Sequence, residues 1–403
     1  MVAVTGIGVV SPHGDHPDAM FAALMRGESA IGEFIGDFPN AKPAAVASVA
    51  FDAGAWFTPL QLAGVDRVSQ LAVAAATRAL ADAGAAGVYE PARVGVYVGC
   101  GMGGGASLEA GYISGLRNGR VPPLTVPAFM PNAPAAHVAM RLHATGPALT
   151  YAVACASSAV AIAEAAKAIR GGEVDMAIAG GSDAVLVPGV VKAWQVMQTL
   201  SVFAPGAAAS SCRPFATDRG GFALGEGAAF LILESTERAR ARGARRHAEL
   251  AGWGMSCDAT HLTKPDAAGQ RAAIGNALAL ANLAPRDVGY CNAHGTATRI
   301  GDQVESEALK AVWGADIDRL RVSSTKSMHG HLLGAAGALE AAITILALRE
   351  SQLPPNANCA SPDPACGLDL VLETGAVAPG LDAAITSSFA FGGSNAVLVF
   401  RRA

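Results

Sequence analysis

Charged and aromatic residues are both scarce in this chain of 403 residues. Asp, Glu, Lys and Arg make up only 15% of the sequence and aromatic residues only 5%, whereas 51% is hydrophobic and 47 residues are glycine. This composition excludes a highly charged, disordered chain and favours a compact protein with close backbone packing and many tight turns. The formal net charge of −4 gives no general attraction to nucleic acid or to anionic lipid, so we expect neither as a partner.

Cysteine pairs of the CxxC type are also missing. The seven cysteines are an odd number that internal disulfides cannot close completely, so a reducing compartment fits best. The N-terminal stretch MVAVTGIGVVSPHG is typical of a strand entering a turn, without the basic segment and cleavage site of a signal peptide. The most apolar helical stretch, residues 333–348, contains Glu340 and is too short to span a bilayer. We expect a soluble, cytoplasmic protein.

Short β-branched runs alternate with alanine-rich stretches that favour helix, and this alternation predicts an α/β architecture. The predicted strands include Val2–Val4, Val94–Val98, Met176–Ala179, Phe230–Leu233 and Val397–Phe400. The predicted helices include Ser69–Ala83, Ser157–Arg170, Gly269–Ala281 and Ala335–Glu350. The chain exceeds the size at which one hydrophobic core usually keeps growing, so we expect two domains or a duplicated one.

An internal echo favours duplication. Residues 222–233 read FALGEGAAFLIL and residues 389–400 read FAFGGSNAVLVF, with Phe, Ala, Gly, Ala and Leu recurring at an offset of 389 − 222 = 167. A duplicated fold is the simplest cause, and two unrelated Gly-rich turns that each enter a buried strand are the alternative. Duplication predicts two halves, residues 1–250 and 251–403, that divide after the basic run ERARARGARR.

Cys155 lies in VACASSAV, at the start of a small-residue run that favours helix. The unpaired N–H groups and the dipole of a helix N-terminus stabilise a thiolate, and the same N–H groups can bind a developing oxyanion. This position therefore suits a nucleophile in acyl transfer. A buried core cysteine among alanines is the alternative.

His294 follows the strand-like GYCNA and opens a turn rich in Gly and Thr. Asp302 and Glu305 come soon after it and could orient the ring or neighbour it. A loop histidine that is satisfied by local hydrogen bonds is the alternative. The segment therefore offers a candidate histidine without deciding its role.

His331 lies in SMHGHLLGAAGA, whose glycines suit close backbone approach before a helix. His329 completes an HxH pair, but no carboxylate or thiol is spaced to finish a metal site within the segment, so we expect no metal. Lys326 and Glu340 flank this loop and could form a buried ion pair that fixes His331.

The turn Gly99–Gly104 fits the G-x-G-x-x-G pattern after a predicted strand, which is typical of a dinucleotide-binding fold. No second strand that ends in an acidic residue follows about 20 residues later, so the context of that fold is missing. A tight turn that lines a pocket explains the pattern better. We expect no cofactor.

Together these motifs resemble the β-ketoacyl-[acyl carrier protein] synthases, the condensing enzymes of fatty acid and polyketide synthesis. The resemblance runs nearly end to end, through TGIGVVSPHG, VACASS, GGSDA, RPFATDRGGFALGEGA, NAHGTAT, SSTKSMHGHLLGAAGALE and SSFAFGGSNAVLVF. It implies a thiolase-like fold with duplicated βαβαβ halves in a five-layer αβαβα arrangement. It also implies acyl carrier protein as partner and a dimer, either of identical chains or with a ketosynthase-like paralogue.

The resemblance also implies roles for individual residues. Cys155 is similar to the family's nucleophile, which accepts the acyl chain. The backbone N–H groups of Cys155 and Phe391 are similar to the two that form the family's oxyanion hole. The pair that binds the malonyl thioester and promotes its decarboxylation is matched by His294 and His331. Lys326 with Glu340 matches the organiser of this pair. We add Thr296, Thr298 and Asp302 as candidate supporting residues, and Met102, Phe129 and Met130 as candidate linings of the acyl pocket.

This chain departs from the family pattern in a few places. The stretch SVFAPGAAASS lacks the Lys and Arg that relatives often use to contact carrier protein, and Arg67 is the remaining basic candidate nearby. Arg299 stands where Pro is common, and His329 stands where Thr or an aliphatic residue is common. The pattern assigns neither residue a role.

Several rivals share the fold but not the residues. A thiolase needs a second reactive cysteine where this chain has FAFGGSN, an initiating condensing enzyme needs Asn in place of the second histidine, and a silent chain-length factor lacks the nucleophile. A non-catalytic scaffold, or a nucleotide-dependent oxidoreductase that binds phosphate at Gly99–Gly104, is the alternative from another class. The prediction is decarboxylative condensation of an acyl chain on Cys155 with malonyl-[acyl carrier protein].

Overall fold

Strands and helices alternate along the whole chain, as the residue pattern predicts. The computed structural model describes residues 1–403, and every predicted strand and helix is confirmed to within two residues at its ends or lies inside a longer element. The strands are β1 (Val2–Val10), β2 (Gly32–Phe34), β3 (Ala44–Ala47), β4 (Val94–Gly99), β5 (Ala148–Tyr151), β6 (Met176–Asp183), β7 (Leu224–Gly225), β8 (Gly227–Ser235), β9 (Ala248–Cys257), β10 (Tyr290–Asn292), β11 (Arg321–Ser323), β12 (Gln352–Leu353), β13 (Asp369–Leu370), β14 (Ala376–Val377), β15 (Ala383–Phe389) and β16 (Ser394–Arg401). The α-helices are α1 (Pro17–Met25), α2 (Pro59–Leu62), α3 (Arg67–Asp82), α4 (Gly105–Asn118), α5 (Thr125–Phe129), α6 (Ala133–Leu142), α7 (Ser157–Arg170), α8 (Pro188–Val196), α9 (Thr236–Ala241), α10 (Ala267–Ala281), α11 (Arg299–Trp313), α12 (Lys326–His329) and α13 (Ala336–Glu350).

Eleven strands form one sheet in the order β13-β11-β10-β15-β16-β9-β1-β8-β6-β4-β5. From β1 outward, β8 and β6 join antiparallel, and β4 and β5 then join parallel. From β9 outward, β16 and β15 join antiparallel, and β10 and β11 then join parallel. The two halves therefore repeat one strand order, and they meet where β1 pairs with β9.

The sequence echo marks equivalent strands of the two halves. β8 begins at Gly227 and β16 begins at Ser394, so their starts are separated by 394 − 227 = 167 residues. This is the offset of the echo, and both strands hold the second position in their half of the sheet. The duplicated α/β fold is confirmed.

Helices cover the sheet in layers. α3 packs on β1, β6 and β8, and α10 packs on β9 and β16. α7 and α13 contact each other between the two halves, with α7 on β4 and β6 and α13 on β15 and β8. The α7–α13 layer thus lies between the two halves of the sheet, and α3 and α10 cover their other faces, which gives the predicted αβαβα arrangement.

Helix α13 is buried on all sides. Every residue from Ala336 to Leu348 is buried because the helix lies between the halves, and a helix in such a place needs no polar face. This explains the most apolar stretch of the sequence. No helix of the structure has both the length and the hydropathy that crossing a bilayer requires.

Glycine allows each half to hold a helix close to its first strand. Gly8 on β1 lies beneath α3, and a Cβ added there would be 2.1 Å from the carbonyl oxygen of Ala75. Gly254 on β9 lies beneath α10, and a Cβ added there would be 2.0 Å from the carbonyl oxygen of Ala273. Any side chain at either position would push the helix off the strand.

The boundary predicted at residue 250 lies inside β9. β9 opens the second half of the sheet in the same way that β1 opens the first. A boundary within β9 would divide the hydrogen bonds of a single strand between two units. We therefore propose that the halves divide just before it, in the turn between α9 and β9.

Replacing Gly254 by Ala is expected to lower the free energy of unfolding by about 1–3 kcal/mol, because the added methyl group overlaps the α10 backbone. Gly275, also on α10, is the matched control because no atom lies within 4 Å of an added Cβ. Gly275→Ala should raise the free energy of unfolding by up to about 1 kcal/mol, since Ala is the better helix former. Urea unfolding of both variants is the measurement. An unchanged midpoint for Gly254→Ala would contradict the close packing of β9 on α10.

Candidate active site

A cavity of about 850 Å³ lies where the two halves meet, and it is lined by Cys155, His294, His331 and Phe391. Cys155 follows β5, His294 follows β10, and His331 follows α12. Phe391 lies between β15 and β16. Residues that are far apart in sequence thus converge at the ends of strands from both halves, as ligand sites of α/β sheets usually do.

A single tight turn presents the Cys155 thiol. Residues 154–156 form one 3₁₀ turn directly before α7, and Ala154 is held at a φ of 48°. The Ser157 hydroxyl fixes this turn, because it accepts a hydrogen bond from the Val153 N–H at 3.0 Å and donates one to the Ala154 carbonyl at 2.6 Å. The sulfur therefore points into the cavity from a rigid turn.

The Cys155 sulfur lies 3.0 Å from Nε2 of His331. The backbone N–H of Phe391 also donates toward this sulfur. Burial raises the pKa of the thiol to about 12, although Lys326 acts in the opposite direction. The thiolate expected from the helix N-terminus alone is therefore not the resting form, since the loss of water around the sulfur outweighs the helix dipole.

The backbone around His331 is pinned to the first half of the chain. The His331 N–H donates to the Ala223 carbonyl at 2.7 Å, and the His331 carbonyl accepts from the Gly225 N–H at 2.9 Å. Gly330 has a φ of 69°, which permits the sharp turn that precedes the ring. The ring packs edge-on against Phe222, with centroids 5.3 Å apart.

His294 is held by a carboxylate on the following helix. Glu305 accepts hydrogen bonds from the N–H groups of His294 and Gly295 at 2.8 and 2.7 Å. The ring lies 5.4 Å from that of His331, nearly perpendicular at 84°, and 6.1 Å from that of Phe389. Phe222 and Phe389 are the first residues of the two echo segments, so each imidazole packs against the same position of the repeat.

Both imidazoles are neutral in this environment. Burial, and next the positive charge of Lys326, hold the pKa of His294 and of His331 well below the ordinary value. Nδ1 of each ring is buried without a hydrogen-bond partner in the protein. A neutral imidazole carries one N–H donor and one acceptor, so each ring can either donate a hydrogen bond or take a proton.

Lys326 and Glu340 form a salt bridge in which both side chains are fully buried. Burial raises the pKa of Glu340 to about 7, against the opposing effect of Lys326. The pair links α12, which ends two residues before His331, to the first turns of α13. The ion pair predicted from the sequence is therefore present.

The remaining predicted supports lie in different places. Thr296 and Thr298 line the cavity, with their hydroxyl oxygens 3.1 Å apart. Asp302 instead accepts from the Phe215 N–H at 2.7 Å and does not touch His294. Glu305, the other carboxylate that the sequence offered as a neighbour of His294, is the one that holds the His294 backbone.

Met102, Phe129 and Met130, the residues predicted for an acyl pocket, do not line the cavity that contains Cys155. Met130 lines a separate cavity of about 660 Å³. The carboxylate of Asp183 accepts from the N–H groups of Met102 and Gly334, and so ties this region to the His331 loop. An acyl-pocket role for the three residues stays a prediction.

The turn Gly99–Gly104 does not offer a phosphate site. The Gly101 N–H donates to the buried carboxylate of Asp183 at 3.0 Å, and the Met102 N–H faces the same group. A carboxylate in that place repels phosphate and occupies the donors that would bind it. The tight-turn interpretation therefore holds over the dinucleotide one.

The sequence pattern gives no role to His329 or Arg299, and the structure buries the first and exposes the second. His329 is buried, with Nε2 2.9 Å from the Thr325 hydroxyl and Nδ1 2.8 Å from the Gly330 carbonyl. Arg299 is exposed at the start of α11 and lines the cavity. His329 therefore belongs to the packing behind the loop, whereas Arg299 faces the entrance.

One ligand atom each of Cys155, His294 and His331 lie within 4.8 Å of one another, a spacing that could hold a metal ion. Thiolate and imidazole are ligands that zinc prefers. The buried thiol is protonated at rest, however, and a metal there would remove the hydrogen bond between Cys155 and His331. The expectation of a site without metal stays a prediction.

Comparison with known proteins gives one consistent family. The model described as "Beta-ketoacyl synthase, N-terminal domain" matches residues 1–239, and the model described as "Beta-ketoacyl synthase, C-terminal domain" matches residues 247–360. The chain is 42% identical over 412 residues to nodulation protein E of Rhizobium sp. (strain N33), which covers 100% of this chain and 99% of that protein. It is 36% identical over 410 residues to 3-oxoacyl-[acyl-carrier-protein] synthase 2 of Staphylococcus aureus (strain COL), with 100% and 98% covered.

Solved structures agree with the sequence comparisons. A beta-ketoacyl synthase from Burkholderia phymatum STM815 superposes with a TM-score of 0.92 at 34% identity, covering 100% of this chain and 99% of that one. A second match is a chain of the complex described as a type II PKS acyl-carrier protein with its ketosynthase bound to the hexaketide. It superposes with a TM-score of 0.91 at 29% identity, covering 100% of this chain and 99% of that one. Both matches extend over the whole fold, including the strands that carry the cavity residues.

Alkylation of Cys155 by iodoacetamide is expected to accelerate about tenfold per pH unit up to about pH 9.5 without levelling off. The reason is that a pKa of about 12 leaves only a small thiolate fraction throughout that range. Peptide mass spectrometry can follow Cys155 beside Cys257, the exposed cysteine of the chain. A plateau below pH 8.5 would contradict the raised pKa and would indicate a resting thiolate paired with a protonated histidine.

Proposed function

The chain belongs to the β-ketoacyl synthase family, and we propose that it condenses an acyl chain held on Cys155 with malonyl-[acyl carrier protein]. The reaction releases carbon dioxide and gives a 3-oxoacyl-[acyl carrier protein], in fatty acid or polyketide synthesis. The observation that carries the proposal is the 3.0 Å contact between the Cys155 sulfur and Nε2 of His331, with His294 beside them in one cavity. The synthase relative of Staphylococcus aureus has the same class of product in its name.

The first step is acyl transfer to the enzyme. The Cys155 sulfur attacks the thioester carbon of the acyl carrier, a new carbon–sulfur bond forms, and the bond to the carrier's sulfur breaks. Because the pKa of the thiol is about 12, the thiol loses its proton as it attacks. Neutral His331, 3.0 Å away, takes this proton and passes it to the leaving carrier thiol.

The second step is loss of carbon dioxide from the malonyl thioester. The carbon–carbon bond to the carboxylate breaks, and its electron pair leaves an enolate whose charge lies on the thioester oxygen. His294 and His331, both neutral, each donate an N–H to this oxygen as its charge develops. Burial, and next Lys326, keeps the pKa of both rings low, and Glu340 pairs with Lys326.

The third step forms the new carbon–carbon bond. The enolate carbon attacks the acyl carbon on Cys155, and the resulting oxyanion accepts hydrogen bonds from the N–H groups of Cys155 and Phe391. Collapse of this intermediate breaks the carbon–sulfur bond, and the Cys155 sulfur takes a proton that His331 relays from water, which is the one proton that the overall reaction consumes. The hydroxyls of Thr296 and Thr298, which line the cavity, bind the arm that carries the malonyl group.

We propose a dimer built on the free edge of the sheet, formed by two copies of this chain or with a ketosynthase-like paralogue. β5 is the last strand and pairs only with β4. Beside it, helices α4 to α6 expose large apolar side chains, among them Tyr112, Leu116, Val126 and Met140. A second subunit would cover both the open edge and the apolar surface. Sedimentation equilibrium of the chain alone at micromolar concentration should give a dimer, and a monomer would contradict the homodimer.

The cytoplasm is the compartment that suits the thiol chemistry. All seven cysteines are free thiols, and a reducing environment keeps them so. The nucleophile must itself stay reduced in order to accept an acyl chain. The proposed cytoplasmic location rests on this need for a reduced Cys155.

The proposed function is tested with hexanoyl and malonyl acyl carrier proteins, with acyl loading and product followed by mass spectrometry. Cys155→Ala should lose acyl loading entirely because no sulfur remains to accept the chain. His294→Ala should load normally but condense about 10²–10⁴-fold more slowly, since one oxyanion donor is lost. His331→Ala should be slower in both steps because its ring also faces the thiol.

Two outcomes would contradict this assignment. Normal acyl loading of Cys155→Ala would exclude this residue as the nucleophile. Unchanged condensation by His294→Ala would remove that ring from the second step. Gly275→Ala, whose site is open and outside the cavity, serves as the control for handling and folding.

A further inference from the structure

Large apolar side chains are exposed around the entrance of the active-site cavity. They are Val196, Met197, Val202, Leu262 and Ile300, with exposed fractions of 71%, 47%, 90%, 72% and 58%. We name these five residues the apolar rim. Three of them line the cavity itself, namely Met197, Leu262 and Ile300. Val196 precedes Met197, and Val202 lies three residues beyond Thr199, another lining residue.

The surface of the rim carries almost no charge. Residues 196–212, which contribute three of its members, contain no Asp, Glu, Lys or Arg. Arg67, the basic candidate from the sequence, is held by Glu226 through contacts of 2.9 and 2.7 Å and by the Val49 carbonyl at 2.6 Å. Its guanidinium is thus committed inside the protein rather than free for a partner.

The cavity entrance carries positive charge only. Lys264 and Arg299 are the lysine and arginine of the lining, and it contains no carboxylate. Both are exposed, and neither takes part in a salt bridge of the structure. An anionic group that enters the cavity therefore meets two free cations and no repelling charge.

Clustered apolar side chains at the mouth of a cavity indicate a surface that a partner covers. Met197, Leu262 and Ile300 line the same cavity as Cys155, and the proposed function requires an acyl carrier protein to deliver substrate there on a phosphate-bearing arm. The two free cations complement that phosphate. We propose that the carrier protein docks on the apolar rim through apolar side chains, while Lys264 and Arg299 receive the phosphate of its arm. This inference rests on the proposed function.

Docking of this kind depends little on salt. Attraction between exposed charges is screened by salt over about 10 Å at 0.1 M, whereas contacts between apolar side chains are not. Only the interaction of the phosphate with two cations remains to be screened. The carrier should therefore be used nearly as well at high salt as at low salt.

The first test compares two malonyl donors, malonyl acyl carrier protein and malonyl pantetheine, at about 50 and about 500 mM NaCl. The pantetheine thioester has neither the phosphate nor the carrier surface, so it reports on the cavity alone. We expect the ratio of kcat/KM for the carrier donor to kcat/KM for the pantetheine donor to fall by less than about threefold between the two salt concentrations. A fall of about 100-fold would overturn the apolar docking and indicate a surface led by charges.

The second test changes the rim itself. Leu262→Ser and Val202→Ser should lower the same ratio by about tenfold, because each removes exposed apolar surface that the carrier would cover. Val377→Ser is the matched control, since Val377 is as exposed as Leu262, at 72%, but lies on β14 and does not line the cavity. An unchanged ratio in both rim variants would overturn the proposal.

Direct binding separates the failure of this inference from the failure of the proposed function. Fluorescence anisotropy of labelled holo acyl carrier protein with the Cys155→Ala variant needs no catalysis. Binding that is stable to salt and weakened by Val202→Ser supports the rim even if no condensation product forms. If the enzyme condenses its substrates but binds the carrier protein equally well with and without the two rim substitutions, the docking inference is wrong and the proposed function still stands.

Discussion

The buried ammonium group of Lys326 is the charge on which the chemistry of the cavity depends. Its side chain is fully buried and paired with the equally buried Glu340, and a charge in such a place is tolerated only when it has a partner. Burial holds the pKa of His294 and of His331 below the ordinary value, and the nearby Lys326 lowers both further; at Cys155 it only opposes the rise that burial causes. Burial and Lys326 together therefore keep the two imidazoles neutral, and a neutral ring can donate a hydrogen bond to an anion.

Duplication explains why the cavity lies where it does. The turn with Cys155 follows β5 of the first half, the loops with His294 and His331 follow β10 and α12 of the second, and all three line one cavity. Phe222 and Phe389, equivalent residues of the repeat, each support one of the two rings. The repeat thus provides two equivalent phenylalanines, and each packs against a different histidine of the site.

Much of this could be predicted from the sequence, because glycine-rich turns, small-residue helices and the echo are local signals. The convergence of Cys155 and His331 across 176 residues came instead from the family pattern. Neither the local signals nor the family pattern indicated how deeply each side chain is buried and which groups surround it. The raised pKa of Cys155 depends on burial by distant elements. Whether Asp302 or Glu305 reaches His294 depends on how α11 lies against the loops, which brings Asp302 to Phe215 and Glu305 to His294. The position of the cavity, whose lining does not include Met102, Phe129 or Met130, is likewise set by how the layers pack.

Helix α13 also decides whether either half could exist alone. Apart from Glu340 and Thr344, its buried residues are apolar, and it is covered by α7 and by strands of both halves. The second half without the first would therefore expose this helix to water. The strand order repeats in the two halves, but the central layer is shared, so the chain is expected to unfold as one unit rather than half by half.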